Sequence, residues 1–504
     1  MLSPTTIRLR ASIRTDDTYG LLPAHVRNIP GSTGTATDGV TSRPTVVRTD
    51  YGDLMSTIRA TPQDAIHALT DSSKNRPSIV TAYTFPESDV STDDLIEWLG
   101  RRAHGIPEMR QRLVRSYGDI GDAYWSDAPE FDVFSHIRER PEQDWNDVCS
   151  LLADLHEIPF DYDRPLWSIA ILRRVPTFEK AARHIVVVLR FHHCMTDGLG
   201  SARIAKALFT PELQSYTASK SLSRARATAV EIVRLPLRPF VVAADVMRLL
   251  RHTRQITAAR KSGEWSMPPH APRATVLNGP IGKGRAVSVV SCSIDSLRAA
   301  AHNLGAVSVN DLVLSAVGRA VSRHLDDPEA LLASVPVSIR SAVDPKSRNA
   351  VAIGVVPLHS TLQLPERAQV IHRAVRSERA RFELPGFAEL AANPLPRLPG
   401  FIYRALSRVQ SRRNSRTTKP NLTQLKVSTI PKGSASDWQL CSAPVVANFG
   451  ISPVTDGLRL NHTVSSIGNS LTIGIVADAD NIRDFDGYIE VLHSELEEIL
   501  AHVP

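Results

Sequence analysis

Residues 190–201 read RFHHCMTDGLGS, and the residues best equipped for chemistry stand here: two adjacent histidines, an aspartate and two glycines. An imidazole titrates near neutral pH, so it can take and return a proton, and it can also ligate a metal. Both readings start from His192 and His193, with Asp197 four positions after His193. The metal reading is the poorer of the two. Adjacent side chains point poorly at one ion, and no further Glu/His cluster supports a site. A histidine in such a place is also often a satisfied structural residue, so the elements around it decide how much the spacing means.

Those elements are a strand and a helix. HIVVVLRF (184–191) is a short apolar run rich in β-branched residues and reads as a buried strand. In SARIAKALF (201–209), Ile204, Leu208 and Phe209 recur at helical intervals. The two histidines therefore fall where a strand ends, and Asp197-Gly198 makes the turn into a helix, a junction that carries function more often than an element interior does. Upstream, ATPQDAIHAL (60–69) and STDDLIEWLGRRA (91–103) read as helices, the second with Thr92 or Asp93 as its cap. LLADLHEIPFDYDRPLWSIAILRR (151–174) passes from helix to strand, entered at Pro165, with Trp167, Ile169 and Ile171 on one face.

The second half repeats the alternation. LNGPIGKGRAVSVVSCSI (277–294) is a glycine-rich loop feeding a strand, and Ser308 is placed to start a helix over 309–325. Its GPIGKGR lacks the GxxxxGK[ST] spacing and precedes a strand, which excludes a nucleotide-hydrolysis loop. Strands follow at 330–340 and 349–359, then a hairpin turning at Gly468-Asn469, and a last helix over 484–500. Strands interleaved with helices in both halves predict an α/β or α+β protein of two lobes. The expected division is an N-terminal extension over 1–45, a first lobe over 46–211, a basic helical linker over 212–275 and a second lobe over 276–504. Residues 1–45 are rich in Thr, Ser, Gly and Pro and read as disordered.

Composition narrows the class. Of 504 residues, 42% are hydrophobic and 22% charged, which is ordinary for a globular chain. No apolar run approaches the roughly 18 residues of a membrane span, and Arg8, Arg10 and Arg14 precede no apolar segment of a secretory signal. The four cysteines lack CxxC spacing, which argues against a zinc site or disulfide scaffold and for a reducing, cytoplasmic setting. A net charge of +7 invites an anionic partner, but no nucleic-acid motif is present. A phosphorylated ligand or a lipid surface remains.

Taken in order, HHCMTDG (192–198), the upstream PLW (Pro165, Leu166, Trp167), LNGPIG (277–282), the Asn310-Asp311 pair and VPVSIR (335–340) resemble the motifs of the bacterial wax ester synthase/diacylglycerol acyltransferase family. That family lies within the CoA-dependent acyltransferases whose mark is HHxxxDG. The resemblance spans about residues 58–500. It departs late in the chain, where KVSTIPKGSASDWQL (426–440) stands for an NVPGP-like element, and early, where ATPQD (60–64) stands for LSPxD.

The resemblance implies two chloramphenicol-acetyltransferase-like lobes, each a mixed sheet covered by helices, with an active-site tunnel between them. It implies acyl transfer from a long-chain acyl-CoA, a co-substrate rather than a cofactor, to diacylglycerol or a fatty alcohol, with no metal. An alcohol cannot ionise usefully at neutral pH, so a base must take its proton as the ester bond forms; such a base contributes about 10²- to 10⁴-fold. The resemblance assigns that role to His193, with His192 accessory. Asp197 is expected to hold the turn, and Gly198 to allow a close backbone approach. Asn310 is a candidate oxyanion donor, its alternative being a helix cap. Pro165, Leu166, Trp167, Asp311 and Arg340 are candidates to line the substrate site, although Trp167 also fits a core and Arg340 an interdomain ion pair. With no serine or cysteine in a nucleophile-elbow pattern, transfer is expected to be direct.

An insoluble acceptor further implies peripheral contact with the inner face of a membrane or with lipid droplets. Two basic-apolar segments, 224–261 and 397–419, are candidates to supply it, the latter through Arg404, Arg408, Arg412, Arg413 and Arg416. The competing expectations are a lipid-binding homologue with weak or no catalysis, and an acyltransferase acting on another hydroxylated lipid.

Overall fold

The computed structural model describes residues 58–73, 75–141, 144–177, 182–217, 221–266, 275–326, 331–342, 347–414 and 422–503. The extension over 1–45, most of SMPPHAPRA (266–274) and Arg416 lie outside them.

Two mixed sheets form the frame. The first runs, in spatial order, Ala447–Ile451, Ser78–Pro86, Arg183–His192, Trp167–Pro176, Ile137–Arg140. All its neighbours are antiparallel except Ile137–Arg140 and Trp167–Pro176, which are parallel. The second runs Val351–Pro357, Leu332–Ser338, Leu425–Pro431, Leu460–Ile467, Ser470–Asp478, Arg285–Ser293, with parallel pairs on both sides of Leu425–Pro431.

The histidine strand shows why its sequence is almost wholly apolar. Ile185, Val187, Leu189 and Phe191 face a core shared with helices Thr92–Gly105 and Gly198–Phe209. Val186 and Val188 face another, beneath helix Trp145–Glu157. A strand buried on both faces cannot alternate apolar with polar residues. In the second lobe, one large core joins the sheet to helices Ile294–Asn303, Val309–His324, Leu364–Arg381 and Phe485–Leu500.

Two local readings need amending. Ser91, not Thr92 or Asp93, caps helix Thr92–Gly105, its side chain accepting from the Asp94 N–H; three consecutive residues of capping type leave the register open to sequence inspection. The segment Ala447–Ile451, from the second half of the chain, forms the edge of the first sheet, antiparallel to Ser78–Pro86. There it abuts the second sheet: the Thr472 hydroxyl bonds the Asn448 carbonyl at 2.6 Å. Gly474 permits the approach, since a Cβ there would stand 2.0 Å from the Gly450 carbonyl oxygen.

The linker becomes helices Arg224–Arg234 and Arg238–Lys261. The only two acids within 224–261 anchor it. Glu231 meets the Tyr124 hydroxyl, Arg234 and Arg238, and Asp245 is held by Arg397 at 2.9 Å and Arg248 at 3.3 Å.

Candidate active site

The ladder of the histidine strand stops at His192, paired with Ser78. The next amide, that of His193, bonds the Pro77 carbonyl at 2.7 Å, and the Met195 amide turns back to the His192 carbonyl at 2.9 Å. His193 is thus held rigidly just beyond the strand end, before helix Gly198–Phe209 begins.

The two neighbouring imidazoles are treated differently. His192 is fully buried, at 0% exposure. Its Nδ1 accepts from the Cys194 N–H at 3.1 Å, so its proton sits on Nε2 and faces the Tyr162 hydroxyl at 2.8 Å. Tyr162 in turn donates to Asp71 at 3.0 Å. Burial pushes the His192 pKa below its ordinary value, against the opposing pull of Asp71. Both ring nitrogens are committed, so the accessory role expected of His192 is one of support.

His193 keeps a nitrogen in reserve. Its Nδ1 lies 2.8 Å from Asn349 Oδ1. The Asn349 amide nitrogen donates to Asp64 Oδ1 at 2.8 Å and to the His193 carbonyl at 2.9 Å. Both partners are acceptors, so the Asn349 oxygen must be the end facing the ring. His193 therefore carries its proton on Nδ1 and a lone pair on Nε2, the tautomer a base requires. The Asn349 N–H also bonds Asp64, at 2.9 Å, and both residues are buried. Burial raises the Asp64 pKa while its bonds to Asn349 and Thr61 oppose the rise.

Helix Pro62–Leu69 supplies the floor of the site. Thr61 caps it and Pro62 opens it. Asp64 and His67, one turn apart, share a face. The His67 ring stacks on His193 with centroids 4.4 Å apart and planes 22° apart. The opposite face, through Pro62, Ala65 and Leu69, borders a cavity of about 610 Å³ that Arg248 and Arg397 also line. Lys426, on strand Leu425–Pro431, bears on the two rings through its charge. Burial, then the Lys426 charge, brings the His193 pKa down to about 4. His67 is lowered by burial first, then by the charges of His193, His192 and Lys426.

Asp197 is a clasp between the lobes. It caps helix Gly198–Phe209 through Gly200 at 2.7 Å and receives Arg340 on both oxygens, at 2.6 and 2.7 Å. The Ala350 N–H adds a bond at 3.0 Å. Gly198 sits under strand Leu425–Pro431, where a Cβ would come within 2.8 Å of Ile430.

Several candidates from the sequence are placed elsewhere. Arg340 has its guanidinium on Asp197, the interdomain pair that was its alternative to lining the substrate site. Pro165, Leu166 and Trp167 are buried, with the Trp167 indole donating to the Met109 carbonyl at 2.7 Å; their contacts are with protein. Asp311, at 0% exposure, forms a capping box with Ser308 and meets His372 at 2.7 Å. Asn310 accepts from the Thr429 hydroxyl at 2.7 Å. Thr429 alternates with Ile430, which reaches Gly198, so Asn310 lies on the far side of that strand from the His193 turn. Neither does Asn310 cap its helix, since Ser308 does. Conversely, Asp64, His67, Asn349 and Lys426 carry no sequence signal of their own; Asp64 is the acid of ATPQD, and Asn349 stands at the start of an ordinary strand. Among the described residues no three His, Cys, Asp or Glu side chains gather in a metal-binding group.

A two-lobed frame, mixed sheets clasped across their junction and a histidine at a strand end define the condensation-domain and acetyltransferase class of fold. The structure superposes on a wax ester synthase/diacylglycerol acyltransferase from Marinobacter aquaeolei VT8 with a TM-score of 0.59, covering 88% of this chain and 100% of that one at 18% identity. A trichothecene 15-O-acetyltransferase from Fusarium sporotrichioides gives 0.55 at 13% identity, covering 89% and 96%. Residues 60–313 match the wax ester synthase/diacylglycerol acyltransferase catalytic domain, and 348–500 the C-terminal domain of that family. The chain belongs to the wax ester synthase/diacylglycerol acyltransferase family. A Mycobacterium bovis protein provisionally named a diacylglycerol O-acyltransferase is 27% identical over 436 residues, 79% of this chain and 81% of its own length. One from Mycobacterium tuberculosis, named likewise, is 25% identical over 421 residues, 79% and 87% of the two chains.

Proposed function

We propose that this acyltransferase moves a long-chain acyl group from acyl-CoA directly onto the hydroxyl of diacylglycerol or of a fatty alcohol, with His193 as general base. The observation that carries this reading is the Asp64–Asn349–His193 chain, which fixes a neutral ring with Nε2 free. Nε2 takes the hydroxyl proton as the oxygen attacks the thioester carbonyl. The tetrahedral intermediate then expels the CoA thiolate, which receives that proton from the imidazolium, leaving ester and free CoA. Proton transfer of this kind lowers the barrier by about 3 to 5 kcal/mol. A pKa held low keeps the base unprotonated at neutral pH. No metal or further cofactor enters the scheme.

Radiolabelled palmitoyl-CoA, offered to purified protein with diacylglycerol, hexadecanol or monoacylglycerol, tests the reading. Triacylglycerol or wax ester is the expected product, formed without acylated protein in quenched reactions. CoA release at one rate with and without every acceptor would refute it in favour of hydrolysis, and no release with any acceptor would favour the lipid-binding alternative.

The acceptor lives in a bilayer or droplet, so the reading includes a docking surface, and the linker helices support one. Val233, Leu237, Phe240 and Met247 are 73%, 61%, 74% and 61% exposed. Arg224, Arg251, Arg254, Arg260 and Lys261 stand exposed along the same pair of helices. Apolar side chains for the interface and cations for anionic headgroups together give reversible binding without a span; no described helix is long and apolar enough to cross a membrane. The second segment named from sequence fits less well. Arg404 of helix Gly400–Asn414 pairs with Asp119 of the first lobe at 2.7 Å, and Arg397 is held by Asp245 of the linker, so these two cations are spent within the protein. Flotation with phosphatidylglycerol vesicles should carry the protein, and Leu237→Ser with Phe240→Ser should abolish it. Equal flotation with neutral phosphatidylcholine vesicles at low salt would refute the electrostatic part.

A further inference from the structure

The torsion that turns an imidazole about its Cβ–Cγ bond is intrinsically broad. A hydrogen bond at Nδ1 narrows it, as Asn349 does for His193, but still tolerates rocking of the ring out of its plane. Every such movement swings Nε2 away from the acceptor hydroxyl, and misplacement by about 1 Å can cost on the order of 10²-fold in rate. A contact against the face of the ring would complete the hold, and His67 lies there. Its ring stacks on His193 with centroids 4.4 Å apart and planes 22° apart. Among the described residues no hydrogen bond engages the His67 nitrogens, so what it offers the base is a flat face.

The helix that carries His67 is short but tied down on several sides. Thr61 caps it, accepting from the Asp64 N–H at 3.1 Å. The second lobe grips its first turn. Asp64 accepts from the Arg348 N–H at 3.3 Å and the Asn349 N–H at 2.9 Å. The Gln63 side-chain amide donates to the Val351 carbonyl at 3.4 Å. At the other end Leu69 is backed by Gly400, where a Cβ would come within 2.7 Å of it. Asp64 and His67, one turn apart, face the same way. One rigid helix thus reaches the base twice, through Asn349 at the ring edge and through the stack at the ring face.

We propose that His67 is a positioning residue, whose ring face fixes the plane of the His193 imidazole and with it the aim of Nε2. It touches neither substrate nor the travelling proton and acts only through the base. The neighbouring ring must stay uncharged when His193 takes its proton. Desolvation, then the charges of His193, His192 and Lys426, hold the His67 pKa well below its ordinary value. A neutral aromatic face beside an imidazolium adds no repulsion and attracts the cation. This assignment rests on the acyl-transfer reading above.

Three variants test it, with kcat and KM for palmitoyl-CoA and the melting temperature measured on each. His67→Phe keeps a flat ring and discards the nitrogens, so kcat should stay within about threefold of wild type. His67→Leu fills the space without a flat face, and His67→Ala empties it; both should lower kcat about 10- to 100-fold. KM should move less than about threefold in all three, since the stack aims the base and does not hold substrate. His67→Leu preserves bulk and so decides the matter even where His67→Ala fails to fold. Wild-type kcat in His67→Leu would overturn the proposal, whatever its melting temperature. A His67→Phe enzyme as slow as His67→Leu would overturn it too, because the nitrogens and not the face would then be at work. Failure of the underlying reading looks different: the unmodified protein would then transfer no acyl group to any acceptor.

Discussion

Each lobe starts a long helix with an acid at its N-terminus and a histidine within reach of the assembly, yet only one of the two places has the makings of a catalyst. In the first lobe, Asp197 caps Gly198–Phe209 and binds Arg340, while His193 faces away from the cap. In the second, Asp311 and Ser308 cap Val309–His324, and His372 spends its Nδ1 directly on Asp311. The composition of the two places is similar and the distribution of contacts is not. A histidine bound straight to a carboxylate at a helix start braces that helix. One bound through an amide, with its second nitrogen left over, can act on a visitor. His192 and His193 repeat the contrast at adjacent positions.

The comparison can be broken most sharply at His193. His193→Ala should lower acyl transfer about 10²-fold or more with an unchanged circular dichroism spectrum, whereas near-normal turnover would remove the base from the scheme. Asn349→Leu should cost less, about 10- to 100-fold, because the ring survives but loses its imposed tautomer and orientation; wild-type turnover would remove the amide from the scheme.

The acid limb gives a subtler measure. A base with its pKa near 4 stays neutral far below the ordinary imidazole value. The rate should therefore hold from pH 7 to about 5 and decline as pH approaches 4; a limb centred near 6.5 would mean a solvated ring. The same depression affects stability in a known direction. His193, and His156 at about 3, bind protons more weakly folded than unfolded. Stability should accordingly decrease as pH falls from about 6.5 towards 4, measured as a lower melting temperature. The smallest effect belongs to His372→Ala, where turnover should change by less than about twofold while the melting temperature drops. A large loss of rate there would erase the distinction between the two helix starts.

Sequence reasoning reaches one of these places and misses what animates it. The strand, turn and helix around RFHHCMTDGLGS are readable because their periodicities are local, and Ser308 is readable as a cap for the same reason. Asp64, Asn349 and His193 meet across 285 and 156 residues of chain, and no local pattern encodes such a meeting. Asn349 has the appearance of a polar residue before a strand. Lys426 falls within the segment 426–440 that departs from the NVPGP-like pattern, but departure alone does not tell which face of a strand a side chain takes. Motif order draws Arg340 and Asp311 to the site, whereas the structure pairs Arg340 with Asp197 and buries Asp311 against Ser308 and His372. Charge type along the chain shows what a residue could do, and the partner it finds shows what is left for it to do.

The edge strand Ala447–Ile451 has a consequence for how the chain is made. A ribosome releases the rest of the first sheet, ending with Arg183–His192, well over two hundred residues before its last strand exists. Until then Ser78–Pro86 presents a row of unpaired amides and carbonyls, the kind of template that recruits foreign strands. Cutting the gene at the linker would leave the first half with that open edge and the second half with a strand that has nowhere to go. Supplied together, the two halves should find each other through this strand before they find it through the Asp197–Arg340 clasp.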